Sequence, residues 1–168
     1  MKAPPLLPEE TLIRVLRVAR LDGLSVLVIS GVFALVSALA GDGLGAVVGL
    51  LVAGAGAVEL HGATLLEHGE PRGMDWLTGS QVFLLATIVL YCALRLYHPV
   101  IEQMRAAMTD EMKISLEAAG WRLDEFMHFV YRTTYVAVAI VTTVYQGGMA
   151  VYYWRRREAV TRALAAEL

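Results

Sequence analysis

Residues 23–58 read GLSVLVISGVFALVSALAGDGLGAVVGLLVAGAGAV and contain a single charged residue, Asp42. An α-helix rises about 1.5 Å per residue, so about 20 apolar residues cross the ~30 Å hydrocarbon core of a bilayer. The segment before Asp42 has that length, and the glycines on both sides of Asp42 suit a very short turn. The stretch therefore predicts a hairpin of two transmembrane helices.

Two more charge-free stretches follow, at residues 76–94 and 133–154. The second helix of the hairpin reaches spanning length if it continues past Glu59. A hydrophobic share of 57% and a mean hydropathy of +0.57 agree with a membrane protein. We predict an all-α integral membrane protein, a single membrane domain over residues 1–168 in which four transmembrane helices form an antiparallel bundle. The predicted spans are 23–41, 44–66, 76–97 and 126–154.

Shorter segments outside the spans are amphipathic. Residues 8–21 place apolar side chains opposite three arginines, which predicts an interfacial helix followed by a bend at Asp22-Gly23. The alternative is a plain extension of the first span. Residues 99–120 predict two short amphipathic helices, with Thr109 as an N-cap and Gly120 as a stop. Residues 155–168 predict a helical tail.

The distribution of basic residues predicts the orientation. Nine of the 14 lysine and arginine residues are predicted to lie on one side of the membrane. They are Lys2, Arg14, Arg17, Arg20, Arg72, Arg155, Arg156, Arg157 and Arg162. Under the positive-inside rule both termini face the cytoplasm, and residues 99–120 are extracytoplasmic. We expect a multi-pass protein of the plasma (inner) membrane. The net charge of −2 argues against nucleic acid as a partner.

A row of small residues marks the second span. Gly45, Gly49, Ala53 and Ala57 recur every four residues. Small residues let helix backbones approach closely in lipid, where hydrophobicity does not draw helices together. The row predicts that the second span is the most buried helix and that it packs against the first. The small size of the chain also favours self-association within the lipid bilayer.

Polar groups inside a membrane are costly and are therefore candidates for function. The predicted intramembrane site comprises Glu59, His61 and Thr64 on the second span with Tyr145 and Gln146 on the fourth. We expect Glu59 and His61 to face the protein interior or a subunit interface. Counting residues from the predicted helix ends puts Glu59 and Gln146 at similar depth, so Gln146 or Tyr145 is the expected partner. The competing interpretation is a hydrogen-bond network with a structural role.

A second candidate site lies at the predicted extracytoplasmic ends of spans three and four. Its residues are His98, Glu102, Glu125 and His128. These ligand types allow one mononuclear metal site or, through the two histidines, a haem at the membrane edge. The competing interpretation is ion pairs with Arg95, Arg122 and Arg132. The sequence indicates no particular metal or cofactor.

Three classes of function remain open. The favoured class is a channel or transporter component, in which the intramembrane polar residues line a path. The second is a redox protein that binds metal or haem through histidines. The third is a structural or regulatory subunit of a larger membrane complex. We assign no catalytic residue, because no nucleophile, base and acid share a depth and no phosphate-binding loop is present.

Overall fold

The computed structural model describes residues 7–166, without the side chains of residues 103, 104 and 107. The described chain is all-helical, as predicted, and the ends of the predicted domain and tail (residues 1–6, 167 and 168) lie outside it. Its six helices are α1 (Pro8–Leu39), α2 (Gly43–Glu67), α3 (Gly73–Tyr97), α4 (Ile101–Ala107), α5 (Asp110–Ala118) and α6 (Leu123–Ala166).

Four of the helices, α1, α2, α3 and α6, are long and apolar enough to cross a membrane. This confirms the prediction of a membrane protein with four spanning segments. The short helices α4 and α5 occupy the region where two were predicted. Thr109 accepts a hydrogen bond from the Met112 amide at the start of α5, and Gly120 adopts a positive φ of 79° after its end. Each terminus of α5 is therefore set by local residues.

At the predicted bend, Asp22-Gly23, the helix is not interrupted, because α1 continues through both residues. Gly23 serves a helix contact instead: a Cβ there would lie 3.1 Å from the Gly56 carbonyl oxygen. The apolar face of residues 8–21 is also not free to lie on a membrane surface. Leu12, Val15 and Ala19 are buried against other helices.

The contact between α1 and α2 is built from small residues. A Cβ on Gly49 would lie 2.8 Å from the Ala34 Cα, and one on Gly56 would lie 2.7 Å from the Gly23 carbonyl oxygen. The predicted row fails at its end, because Ala57 is exposed and Gly56 makes the contact. A helix repeats every 3.6 residues, so a strict spacing of four drifts off the face.

The second span is the most buried of the four, as predicted. In the most apolar 18-residue window of each helix, 44% of α2 is buried, against 28% of α1, 28% of α3 and 6% of α6. The apolar window of α6 therefore leaves the largest share of its surface uncovered by the rest of the chain.

The main hydrophobic core lies toward one end of the bundle, and most of its residues are outside the charge-free stretches. It joins the first half of α1, the end of α2, the start of α3 and the end of α6, and we call it the terminal core. Ion pairs between Arg20 and Glu67 and between Arg157 and Asp75 lie on its outside. A smaller cluster of Val52, Ala55 and Leu84 lies within the charge-free stretches. Tight packing in the terminal core fixes the positions of the polar side chains next to it, which are described below.

Candidate functional site

A group of five polar side chains, four of them buried, lies where the terminal core meets the charge-free stretches. We call it the polar layer, and all four spanning helices contribute to it. Its members are Asp22 of α1, Glu59 of α2, Gln81 of α3, and Tyr145 and Tyr153 of α6.

Three hydrogen bonds connect the polar layer across helices. The Tyr153 hydroxyl donates to Glu59 Oε1 at 2.6 Å. The Tyr145 hydroxyl donates to Asp22 Oδ1 at 2.9 Å, and Gln81 Nε2 donates to Asp22 Oδ2 at 3.0 Å. Asp22 and Glu59 lie on facing sides of α1 and α2, since a Cβ on Gly23, next to Asp22, would lie 3.1 Å from the Gly56 carbonyl oxygen. Two carboxyl groups therefore share one small polar environment.

Four of the five members of the polar layer are buried, whereas Tyr145 is about half exposed. Glu59, Gln81 and Tyr153 are 0% exposed, and Asp22 is 7% exposed. Within residues 7–166, none of the ion pairs includes Asp22 or Glu59. Burying an isolated charge costs far more than burying a paired one. The layer therefore holds two acidic groups without a neutralising cationic side chain.

Local sequence brings the two carboxyl groups together. Gly23 and Gly56 allow the backbones of α1 and α2 to approach closely. Asp22 is adjacent to Gly23, and Glu59 follows Gly56 by three residues, a spacing that keeps it on the same helix face. The glycine contact and the carboxyl pair are thus parts of one arrangement.

Glu59 faces the protein interior and pairs with a polar residue of α6, as expected, but the expected partner residue was wrong. Tyr153 donates to Glu59, whereas Tyr145 donates to Asp22. Gln146 is buried two turns before Tyr153 on the same face of α6, and its Oε1 has no hydrogen-bond partner among the described residues. Tyr153 lies seven residues, about two turns, beyond Gln146, so counting from Trp154 placed α6 two turns away from its actual register against α2.

His61 and Thr64 do not join the polar layer. His61 is exposed in the single chain, and its ring packs edge-on against Trp76 at 5.7 Å. It follows Glu59 by two residues, about 200° around the helix, so the two side chains point to different faces. The Thr64 hydroxyl donates to the Leu60 carbonyl of its own helix. The expectation that His61 faces the interior of the chain was wrong, and a subunit interface stays a prediction.

Sequence reasoning did not select Asp22 or Gln81 as site residues. Asp22 marks the edge of the first charge-free stretch, which is the same signal that singled out Glu59. Gln81 is the amide side chain within the third stretch. Selecting the polar residues at the ends of every charge-free stretch would have included Asp22. It would not have shown which of these residues contact one another in the fold.

A second polar cluster lies at the opposite end of the bundle from the terminal core. Arg95 is 6% exposed and forms an ion pair with Asp42. Its side chain also donates to the Tyr91 hydroxyl at 3.2 Å, and its carbonyl accepts from Tyr131 at 2.9 Å. Burial by itself would raise the pKa of Asp42, but hydrogen bonding from the Gly45 amide and the Arg95 guanidinium lowers it below its ordinary value.

An apolar cavity of about 460 Å³ lies between the two polar regions and receives residues from all four spanning helices. Phe33, Val52, Ile88 and Val138 line its sides. Tyr135 belongs both to this cavity and to a cavity of about 290 Å³ that borders Asp42 and Arg95. Polar residues thus flank the apolar cavity toward each end of the bundle.

The predicted metal or haem site is not assembled. Glu102 pairs with Arg105 and Glu125 with Arg122, each at 3.3 Å, while His98 stacks edge-on against Tyr97 and His128 is exposed. Among the residues with described side chains, no group of three or more His, Cys, Asp or Glu lies close enough to hold a metal ion. Glu125 thus has the expected Arg122 partner, whereas Arg95 pairs with Asp42.

Comparisons of the chain with protein-family models, with curated proteins and with solved structures give no match. The polar layer is therefore the feature of this chain that indicates its function.

Proposed function

We propose that the chain is a component of a membrane channel or transporter whose path passes through the polar layer. The observation that supports this is Glu59, a carboxyl group that is 0% exposed, lies beside Asp22 and has no cationic partner among the described residues. Ionisable groups within spanning helices mark substrate or ion pathways in membrane proteins. A purely structural contact would not need two acidic side chains together.

The proposed arrangement is an antiparallel four-helix bundle in the plasma membrane, with both termini and the terminal core on the cytoplasmic side. The nine-to-five division of basic residues supports this orientation. In this orientation α4 and α5 lie at the extracytoplasmic surface. The polar layer is then close to the cytoplasmic edge of the hydrocarbon core.

The proposed path follows the bundle from the Asp42–Arg95 pair, through the apolar cavity, to the polar layer. Tyr135 borders both cavities, which supports their connection. An apolar section of a path, with polar residues at each end, can gate conduction by controlling its hydration. The uncovered apolar surface of α6 supports self-association as the working form.

Proton and cation flux in vesicles tests the proposal. Purified protein is reconstituted in liposomes, and flux is driven by a pH gradient or by a sodium or potassium gradient. Glu59→Gln should reduce the flux at least tenfold while leaving expression and assembly intact. Glu67→Gln is the matched control, since Glu67 lies two turns further along the same helix and pairs with Arg20 outside the terminal core. Absence of protein-dependent flux under every gradient would reject the proposed function.

A structural or regulatory subunit is the second candidate, because the apolar window of α6 is only 6% buried. A larger membrane protein could cover that surface. Recovery of a stoichiometric partner on purification in mild detergent, together with absence of flux, would favour this candidate over the first.

A further inference from the structure

We infer that Asp22 and Glu59 bind one proton between them, so that the polar layer is a single-proton binding site. The inference deepens the proposed function, on which its physiological role rests, by naming the proton as the transported or coupling ion.

Hydrogen-bond donors around the two carboxyl groups are fewer than their oxygen acceptors. The two carboxyl groups have four oxygens, and three of these accept hydrogen bonds from Tyr145, Gln81 and Tyr153. The fourth, Glu59 Oε2, is buried without a partner among the described residues. The Asp22 carboxyl group lies on the facing side of α1, where Gly23 and Gly56 bring the backbones of α1 and α2 into close contact. One proton on Glu59 Oε2, donated toward Asp22, supplies the missing bond and removes one of the two charges.

Within the described part of the chain, no group packed around the pair carries a positive charge that could compensate the two carboxylates. From α1 the titratable group is Asp22 itself, and from α6 the groups are Tyr145 and Tyr153, whose hydroxyls already donate to the carboxylates. From α3 the neighbour is Gln81, which is uncharged. Two like charges in a buried site repel strongly, so a shared proton is the stable arrangement.

The unpartnered oxygens also distinguish a proton from a metal ion. Besides Glu59 Oε2, the fully buried Gln81 has an Oε1 atom without a partner in residues 7–166. Hard cations such as Mg²⁺ or Ca²⁺ require about six or more oxygen ligands, and no group of three or more His, Cys, Asp or Glu among the described side chains lies close enough to hold a metal ion. A proton requires one oxygen to carry it and one to accept it. The Gln81 oxygen is a polar position for a water molecule that exchanges the proton.

Proton exchange involves only the carboxyl pair and water. Uptake forms an O–H bond at Glu59 Oε2 and consumes one hydrated proton, and release breaks that bond and returns the proton to water. Asp22 is the more accessible member of the pair, since it is 7% exposed and its partner Tyr145 is 52% exposed. Exchange therefore occurs on the Asp22 side of the layer.

Infrared spectroscopy of the protein in lipid nanodiscs tests the inference directly, without a gradient or any transport. We expect one protonated-carboxyl C=O band at neutral pH that is lost in Glu59→Gln and shifted in Asp22→Asn. Glu67→Gln should retain the band unchanged. Each variant is first checked for a wild-type elution volume and helix content. If a well-folded wild type lacks the band, or if Glu59→Gln retains it, the inference is wrong.

Two further measurements complete the test. Because a glutamine amide resembles a protonated glutamate, Glu59→Gln should unfold at a temperature no lower than the wild type, whereas a marked loss of stability would oppose a neutral Glu59. A C=O band that disappears as sodium replaces choline would show metal-ion competition and overturn the assignment to a proton alone. If the C=O band is present but the protein gives no flux in liposomes, the proton site is supported and the proposed transport function is rejected.

Discussion

The Tyr153 hydroxyl donates a 2.6 Å hydrogen bond to Glu59 Oε1, joining α6 to α2 between two side chains that are both 0% exposed. The bond holds one end of a carboxyl group whose other oxygen has no partner in the described structure. It also ties the polar layer to the terminal core, because Tyr153 is a member of both.

Tyr153→Phe should destabilise the protein. Removing the hydroxyl leaves a second buried Glu59 oxygen without a donor, which costs about 1–3 kcal/mol. Tyr152→Phe is the matched control, because the Tyr152 hydroxyl is buried without a hydrogen-bond partner among the described residues. Thermal unfolding in detergent should show a lower midpoint for Tyr153→Phe and little change for Tyr152→Phe. Equal midpoints for the two variants would show that the bond contributes nothing.

Two glycine substitutions in α2 should have opposite effects. In Gly56→Ala the new Cβ would meet the Gly23 carbonyl oxygen at 2.7 Å, so we expect overpacking to cost about 1–3 kcal/mol. In Gly54→Ala the Cβ meets nothing within 4 Å, and the higher helix propensity of alanine should stabilise by about 0.5–1 kcal/mol. Unfolding midpoints measure both. A Gly56→Ala protein as stable as Gly54→Ala would contradict the close contact between α1 and α2.

The Asp42–Arg95 pair should make stability depend on acid. The pKa of Asp42 is lower in the folded protein than its ordinary value of 3.8, so its stabilising effect is present above that value and is lost as the pH falls through the lowered pKa. Acid unfolding followed by circular dichroism should show this loss in the wild type. Asp42→Asn should be less stable at neutral pH and should lack this component.

Asp110→Asn controls for acidic groups at the surface. The Lys113 ammonium also lowers the pKa of Asp110, but this pair is exposed, and exposed pairs contribute little to stability. Its acid unfolding curve should overlie that of the wild type. If the acid unfolding curve of Asp42→Asn also overlies that of the wild type, the Asp42–Arg95 ion pair is not the cause of the loss of stability in acid.

Cysteine labelling should show both termini on the cytoplasmic side. Cys92 is buried and is first replaced by alanine to give a cysteine-free background. Single cysteines are then placed at positions 3, 115 and 166. A reagent that does not cross the membrane should label intact cells only at position 115. Labelling at position 3 or 166 from outside would reverse the proposed topology.

The four long helices and the turn at Asp42 could be predicted because their causes are local. A charge-free stretch of spanning length is read directly from consecutive residues, and Asp42 caps α2 by accepting a hydrogen bond from the Gly45 amide three residues later. The small-residue row predicted the contact between α1 and α2, but its last member was wrong because four residues exceed one helical turn.

The sequence alone determined that this chain is a membrane protein with four apolar helices, since length and charge along the chain suffice for that conclusion. Only the tertiary structure decided which polar side chains meet. The pairing of Glu59 with Tyr153, and of Asp22 with Gln81 and Tyr145, depends on the rotation of each helix and its offset along the bundle. Those quantities are set by contacts between helices, such as the close approach of Gly23 to Gly56, which cannot be read from consecutive residues of one helix.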